Sequence, residues 1–466
     1  MSWPPRRAAL LLGLFVVGAL AGVAAARPGG GQSYSGGGHS YSGGGGYSSG
    51  HSYSGGSYSS SNSGGGSLSA GAALGILFGF AIMIVIIAVV QGAQSNAYTS
   101  ALTAPTPPPR LDLQPLLSRD PDFSRVAFED FAYRLYSESQ RARHARDELI
   151  KLAPYLGAGA FDGLLRRASR VEQVVIGNLR IIQVGAELAG TRTKVVVAIE
   201  ANLAGPSGTT NALERWTFLR APNVTTRPPE RTRTFACPNC NAPFASGETW
   251  RTCAHCGTDI ETGKFDWTVD AIAVDAETSV GQTLTGTVEE VGNDFPTLIE
   301  PEAQERLMQL RQDDTAVTWD AFTARVAMIY ARLNSAWNAQ ELAPVRGLVT
   351  ASLLQYLQYW IDEYKRQTFA NKLEEARISH IALAKVTRDK WFDAITVRVY
   401  ADGLDFTVDK EQRVVGGSRS NRRAYTEYWT FIRSSARRGP VTVDPKCPNC
   451  GAPLAISNAG VCTHCN

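Results

Sequence analysis

Glu214-Arg-Trp-Thr-Phe218 and Glu427-Tyr-Trp-Thr-Phe431 are nearly one phrase written twice. Three more pairs lie upstream in the same order. Ile176 to Val184 can be laid on Ile378 to Val386 without a gap, Leu152-Ala-Pro154 matches Leu342-Ala-Pro344, and Phe128-Glu-Asp-Phe131 resembles Trp319-Asp-Ala-Phe322. Self-similarity at this spacing marks an internal duplication. In the later copy Phe322, Val326, Ile329, Leu333 and Ala336 recur at three- and four-residue steps, an amphipathic helix. Phe128, Phe131, Leu135, Ala142 and Leu149 form the corresponding stripe in the first. Second helices follow the Leu-Ala-Pro elements, at Phe161 to Arg170 and Ser352 to Ala370. Strands are predicted over 173–188, 192–203 and 212–220, then over 376–387, 391–400 and 423–433. Their short connections imply antiparallel pairing. Helices ahead of an antiparallel sheet make each copy an α+β unit, at 121–221 and 313–434. Residues 261–312 read as an extra strand, alternating through Phe265, Trp267, Val269 and Ala271, and a linker.

Each unit is followed by a cysteine cluster. The first, within 235–260, is Cys237, Cys240, Cys253 and Cys256; the second, within 445–466, is Cys447, Cys450, Cys462 and Cys465. These eight are all the cysteines in the chain. Two thiolates separated by two residues reach one ion from a single tight turn, and four thiolates close a tetrahedron around Zn²⁺. The pairs are separated by 12 and 11 residues, enough for a minimal hairpin. The expectation is two structural zinc ribbons, and the alternative is disulfides. His255 and His464 sit inside the second Cys-x-x-Cys of each cluster and read as exposed loop residues, because sulfur already fills the coordination shell. A minimal ribbon has too few apolar side chains for a core, so metal would supply its folding free energy. Cys237→Ser should then melt the first ribbon and loosen the neighbouring unit.

The N-terminal quarter is built differently. Residues 1–26 carry Arg6 and Arg7, an apolar run and Ala24-Ala25-Ala26, the layout of a secretory signal peptide; an uncleaved anchor is the alternative. Residues 27–67 are dominated by Gly, Ser and Tyr and read as disordered. Leu68 to Val90 has no charged residue in 23 positions, and at about 1.5 Å per residue it would cross a hydrocarbon core of about 30 Å. Residues 68–91 are therefore the predicted transmembrane helix, and 92–120 a Pro-rich linker. An exporting signal followed by a stop-transfer span would leave the C-terminal domains in the cytoplasm of a single-pass cell-membrane protein. A reducing cytoplasm suits thiolate zinc sites.

With these elements in hand, each unit resembles the Tim44-like domain family. The resemblance rests on the early Phe/Trp-rich helix, Leu-Ala-Pro, the β-rich second half and the Trp-Thr-Phe strand, over about 121–221 and 313–434. It implies a cone-like sheet wrapped on helices, similar to nuclear transport factor two. It also implies membrane association, lipid contact and protein docking, without catalysis.

The residues agree on the last point. The chain has no Gly-x-x-x-x-Gly-Lys, Gly-x-Ser-x-Gly or His-Glu-x-x-His. No catalytic and no cofactor-binding residue is assigned. Outside the tether and ribbons the histidines are His144 and His380, and a general base at His380 in a cone-shaped pocket is the enzymatic alternative. Trp216 and Trp429 read as core. Basic clusters at Arg141, Arg143, His144 and Arg146, at Arg166, Arg167 and Arg170, at Arg419, Arg422 and Arg423, and at Arg437 and Arg438 suit either solvated faces or anionic lipid. A formal charge of +3 favours no class of partner. Nucleic-acid binding by the ribbons is the third reading and is not expected: Cys237 to Cys256 holds one Arg and one Glu, and Cys447 to Cys465 no charge at all. The leading expectation is a non-catalytic membrane-anchored adaptor or tether that binds protein clients, anionic lipid or both. The sequence leaves its oligomeric state open.

Overall fold

A computed structural model of the chain describes residues 111–186, 192–228, 266–280 and 293–440, with short pieces of both ribbons and residues 284, 285 and 290. The predicted signal, Gly/Ser/Tyr-rich segment, transmembrane helix and most of the Pro-rich linker lie outside the described residues. Among the described residues no helix is long and apolar enough to cross a membrane.

The first unit begins with α1 (Gln114–Leu117), α2 (Arg125–Ala142) and α3 (Arg146–Leu149). A 3-10 turn at Ile150–Tyr155 carries Leu-Ala-Pro and leads to α4 (Ala158–Arg166). The strands are β1 (Gln173–Ala186), β2 (Thr193–Gly205), β3 (Gly208–Arg220) and β4 (Thr268–Val280). They form one antiparallel sheet in the order β1-β2-β3-β4. The helices cover one face. Phe128 of α2 meets Phe218 at 5.3 Å and Trp267 at 5.1 Å, and Tyr136 meets Trp216 at 5.1 Å. The predicted extra strand is thus the fourth of this sheet, and the first cysteine cluster is spliced into the chain between β3 and β4. Gly157 crosses closely behind β4, its N–H donating to Val269 O at 2.7 Å. A Cβ there would lie 3.1 Å from that oxygen, so glycine lets the backbones meet.

The second unit contains α5 (Ala303–Asp313), α6 (Trp319–Ala339), a 3-10 turn at Ala343–Val345 and α7 (Ala351–Arg366). Its strands are β5 (Ala370–Arg388), β6 (Phe392–Val408), β7 (Val414–Gly417) and β8 (Arg423–Ser434). Here β6 is central, with β5 on one side and β7 and β8 on the other. Helix α5 lies in the stretch read as strand and linker. It has only Ala303, Leu307 and Leu310 as buried positions, too thin a stripe to stand out in a polar segment. The second helix is shorter than predicted, and the strand after it starts at Ala370 instead of 376.

The two units share local detail. β1 is bulged between Ile176 and Asn178 and between Ile181 and Gln183; β5 is bulged between Ile378 and His380 and between Leu383 and Lys385. These are equivalent positions in the ungapped match. Each long helix opens with a hydroxyl cap: Ser124 Oγ accepts from Ala127 N and Thr318 Oγ1 from Ala321 N, both at 3.2 Å. The caps place Phe128 opposite Phe322, and Phe322 meets Phe431 at 5.1 Å as Phe128 meets Phe218. Pairing Phe131 with Phe322, as the sequence phrases suggest, is therefore one turn out of step. A three-residue slip keeps an aromatic on nearly the same helix face, which is why composition alone does not expose it.

The two units touch. Ser124 Oγ donates to Asp389 Oδ2 at 2.8 Å, and Trp391 Nε1 donates to Asp122 O at 3.2 Å. Lys390 pairs with Asp122. The β5–β6 turn thus grips the entry to α2. Alongside it, Val175 of β1 joins the apolar cluster of α6 and α7.

Candidate metal centres

The thiols of Cys237, Cys240, Cys253 and Cys256 all lie within 4.8 Å of one another, and so do those of Cys447, Cys450 and Cys462. Cys465 lies outside the described residues. Neighbouring sulfurs are 3.8 Å apart for Cys237 and Cys256, 3.7 Å for Cys240 and Cys253, and 4.0 Å for Cys450 and Cys462. A disulfide needs about 2.05 Å. A tetrahedron with Zn–S near 2.3 Å has sulfur–sulfur edges of about 3.8 Å. The clusters have the spacing of ion cages, and each can hold a metal ion.

Local backbone geometry makes the cages. Cys237 N donates to Ala242 O at 2.9 Å, Cys253 N to Thr258 O at 2.9 Å and Cys447 N to Ala452 O at 2.8 Å. Each closes a knuckle around its Cys-x-x-Cys. Gly257 takes a φ of +64° at the second knuckle, where a side chain would be strained. Asn239 Nδ2 donates to Thr258 Oγ1 at 2.7 Å, tying the two knuckles together. The first cysteine of each leading pair is buried and the second exposed. Burial pushes the Cys237 thiol above its ordinary range, whereas hydrogen bonding with the hydroxyl and backbone of Thr258 holds Cys256 below it. A buried thiol of this kind ionises readily only beside a cation. His255 and His464 are exposed, as predicted.

The other candidates are dispersed. His380 is exposed on β5 with its ring 5.5 Å from Tyr400, and His144 Nδ1 lies 2.8 Å from Arg141 O. The structure brings neither into a catalytic constellation. Trp216 is fully buried and Trp429 half-buried. Several arginines of the basic clusters are internally paired. Arg143 donates to Gln140 Oε1 at 2.6 Å and to Ser169 Oγ at 2.7 Å. Arg422 pairs with Asp402 and Glu375, and Arg423 with Glu290 and Asp405.

Arg167 belongs to a buried polar network that the sequence conceals. Glu214 accepts from Arg167 Nη2 and Trp216 Nε1, each at 2.7 Å, and from Gln140 Nε2 at 3.1 Å. The signal was present in the repeated phrase, since Trp429 Nε1 likewise donates to Glu427 Oε2 at 2.8 Å. A Glu two residues before a Trp on one strand face places a carboxylate beside the indole N–H in both copies.

Residues 303–441 match the family model for the Tim44-like domain. No curated protein matches this chain. The match spans α5 through β8, the whole second unit. Through residues 303–441 the chain is similar to the Tim44-like domain family.

Proposed function

We propose that this chain is a non-catalytic membrane-anchored adaptor whose twin cone-like units present a client-binding scaffold at the membrane surface. The observation that carries this reading is the Tim44-like match over an intact helix-plus-antiparallel-sheet unit, docked onto a second copy of itself. The repeated bulges, caps and aromatic pairs support a first unit of the same cone-like kind. The apolar stretch at 68–91 supports a single-span anchor. Crosslinking in native membranes followed by identification of the captured polypeptides tests the reading. Recovery of the chain alone, with no client, would remove the adaptor role. Protease added to intact cells should spare the C-terminal two-thirds, and digestion there would reverse the proposed orientation.

Zinc is the ion we assign to both cages, with structural roles: Cys237, Cys240, Cys253 and Cys256 at one, Cys447, Cys450, Cys462 and Cys465 at the other. Metal analysis of the purified chain should give two zinc ions, and a folded zinc-free protein would refute the assignment. Contact with anionic headgroups would fall to arginines outside the internal pairs, such as the exposed Arg166. Equal flotation with neutral and acidic vesicles would remove that electrostatic component. The enzymatic alternative has little support, because His380 stands exposed on the sheet.

A further inference from the structure

The linker between the units is strapped across the outer face of the second sheet. Val397 and Val399 of β6 face the helices, so Arg398 and Tyr400 face outward. There the buried Arg398 donates to Phe295 O at 2.6 Å and to Asn293 O at 3.2 Å. Its guanidinium stacks 4.7 Å from the Tyr400 ring and 5.7 Å from Tyr428. The Tyr428 hydroxyl accepts from Leu298 N at 3.0 Å, and Tyr400 and Thr297 share a hydroxyl hydrogen bond at 2.7 Å. Ion pairs close both ends: Glu290 with Arg423 at 2.8 Å, and Glu300 with Lys385 at 2.5 Å. Glu300 N also donates to Ala384 O on β5.

Three features make this a recognition surface. The sheet grips two backbone carbonyls and two amides of the strap, groups that every extended polypeptide offers. Side chains hold it at fixed points, with Asn293 Nδ2 donating to Ala424 O at 2.9 Å beside the Thr297 bond and the two ion pairs, while Asp294 and Pro296 are exposed and Ile299 is 58% exposed. The strap also runs across the strands and adds no ladder to the sheet. The first unit has no such equipment, because Ala198 and Glu200 take the places of Arg398 and Tyr400 in the equivalent strand pairing.

We propose that the outer face of β6 and β8 is a docking surface for an extended polypeptide segment with an acidic residue at each end, and that residues 293–300, flanked by Glu290, occupy it in cis. This rests on the adaptor reading and names the form of client that the second unit takes. A client segment binds by displacing the strap, so free surface appears only when a competing peptide is present.

A labelled peptide of residues 290–300 serves as probe against the full-length chain in detergent. Glu290→Lys with Glu300→Lys reverses both terminal ion pairs and loosens the strap. The peptide should bind this variant at least tenfold more tightly than the unsubstituted chain. Adding Arg398→Ala should abolish binding, and replacing both peptide acids by Gln should weaken it about tenfold. Equal binding to both chains, or binding to neither, would overturn the proposal. Amide exchange of the unsubstituted chain gives a readout independent of variant folding. Leu298 and Glu300 amides should exchange at least a hundredfold faster than those of β6; exchange of strap and strand together makes the strap a fixed part of the fold and refutes displacement. In native membranes a photoreactive residue at position 428 should capture the client. Capture at 274 and not at 428 would sink this surface and leave the adaptor standing, whereas no capture at any position defeats the adaptor reading itself.

Discussion

Cys237→Ser should unfold the first ribbon yet leave the first sheet almost intact. The structure fixes the size of the effect. The ribbon lies in the connection between β3 and β4, 47 residues from 221 to 267. With the cage closed, Cys237 and Cys256 are pinned together and the free connection shortens to about 27 residues. Loop-closure entropy changes only logarithmically with length, so opening the cage costs the β3–β4 pairing about 0.5 kcal/mol, or about twofold. Phe235 is a stronger link. Its ring sits 5.2 Å from Tyr155 and 6.0 Å from Phe131, with the Arg134 guanidinium 5.5 Å from its centroid. Removing this half-buried ring costs about 2 kcal/mol, or about thirtyfold. Hydrogen exchange measured by mass spectrometry on peptides from β4 separates the two. Cys237→Ser should speed β4 exchange about twofold while abolishing protection in the ribbon, and Phe235→Ala should speed it about thirtyfold with metal retained. A hundredfold acceleration in Cys237→Ser would refute this reasoning and restore the simpler expectation that metal holds the whole unit. No effect in Phe235→Ala would show that the ring is not a coupling element.

The twin units supply their own controls. Glu214→Gln leaves the half-buried Arg167 short of its main partner and should cost the first unit about 2 kcal/mol in a denaturant melt. Glu427→Gln, beside a half-buried Trp429, should cost the second about 1 kcal/mol. Asp314 is held below the usual carboxylate range by its bond from Arg433 at 2.7 Å and by the Gly439 amide. A depressed carboxylate contributes stability that is present above the unfolded value of about 3.9 and is lost as pH falls through the lower folded value. Asp314→Asn should therefore lower stability at neutral pH and flatten its decline below about pH 4, checked by urea melts across that range. Ser124→Ala removes both a helix cap and the bond to Asp389, and should cost about 1–2 kcal/mol while raising protease sensitivity between the units.

Much of this architecture was readable because it is periodic. The strands announced themselves by alternation and the cages by Cys-x-x-Cys spacing. What escaped was aperiodic or ambiguous. The helix phrases aligned one turn out of register, since Phe128 and Phe131 lie on nearly the same face, and only the caps and the partners Phe218 and Phe431 settle the pairing. The strap at 293–300 has no period at all and is defined by what Arg398 and Tyr428 do to its backbone. The network around Glu214 was hidden for another reason. Arg143 and Arg167 look like surface charge in a linear string, and burial is a property of the assembled sheet.

The two units have parted in their interiors. Aligned by their helix caps, Arg143 of α2 stands where α6 has Trp337, and Gln140 where it has Asn334. In the first unit these positions feed a buried ionic cluster. In the second, Trp337 packs at 6.1 Å against Tyr364 and spends its one polar atom on Asn371, at 2.9 Å. An interior ion pair recovers little net stability after desolvation, and a well-packed aromatic recovers more. The second unit is the one with the strapped outer face. The first spends its interior on a polar network with a narrow tolerance for substitution and receives the β5–β6 turn at the head of α2. The copies differ in which charge they bury: Glu214 beside Trp216 in the first, and Arg398 under the strap in the second.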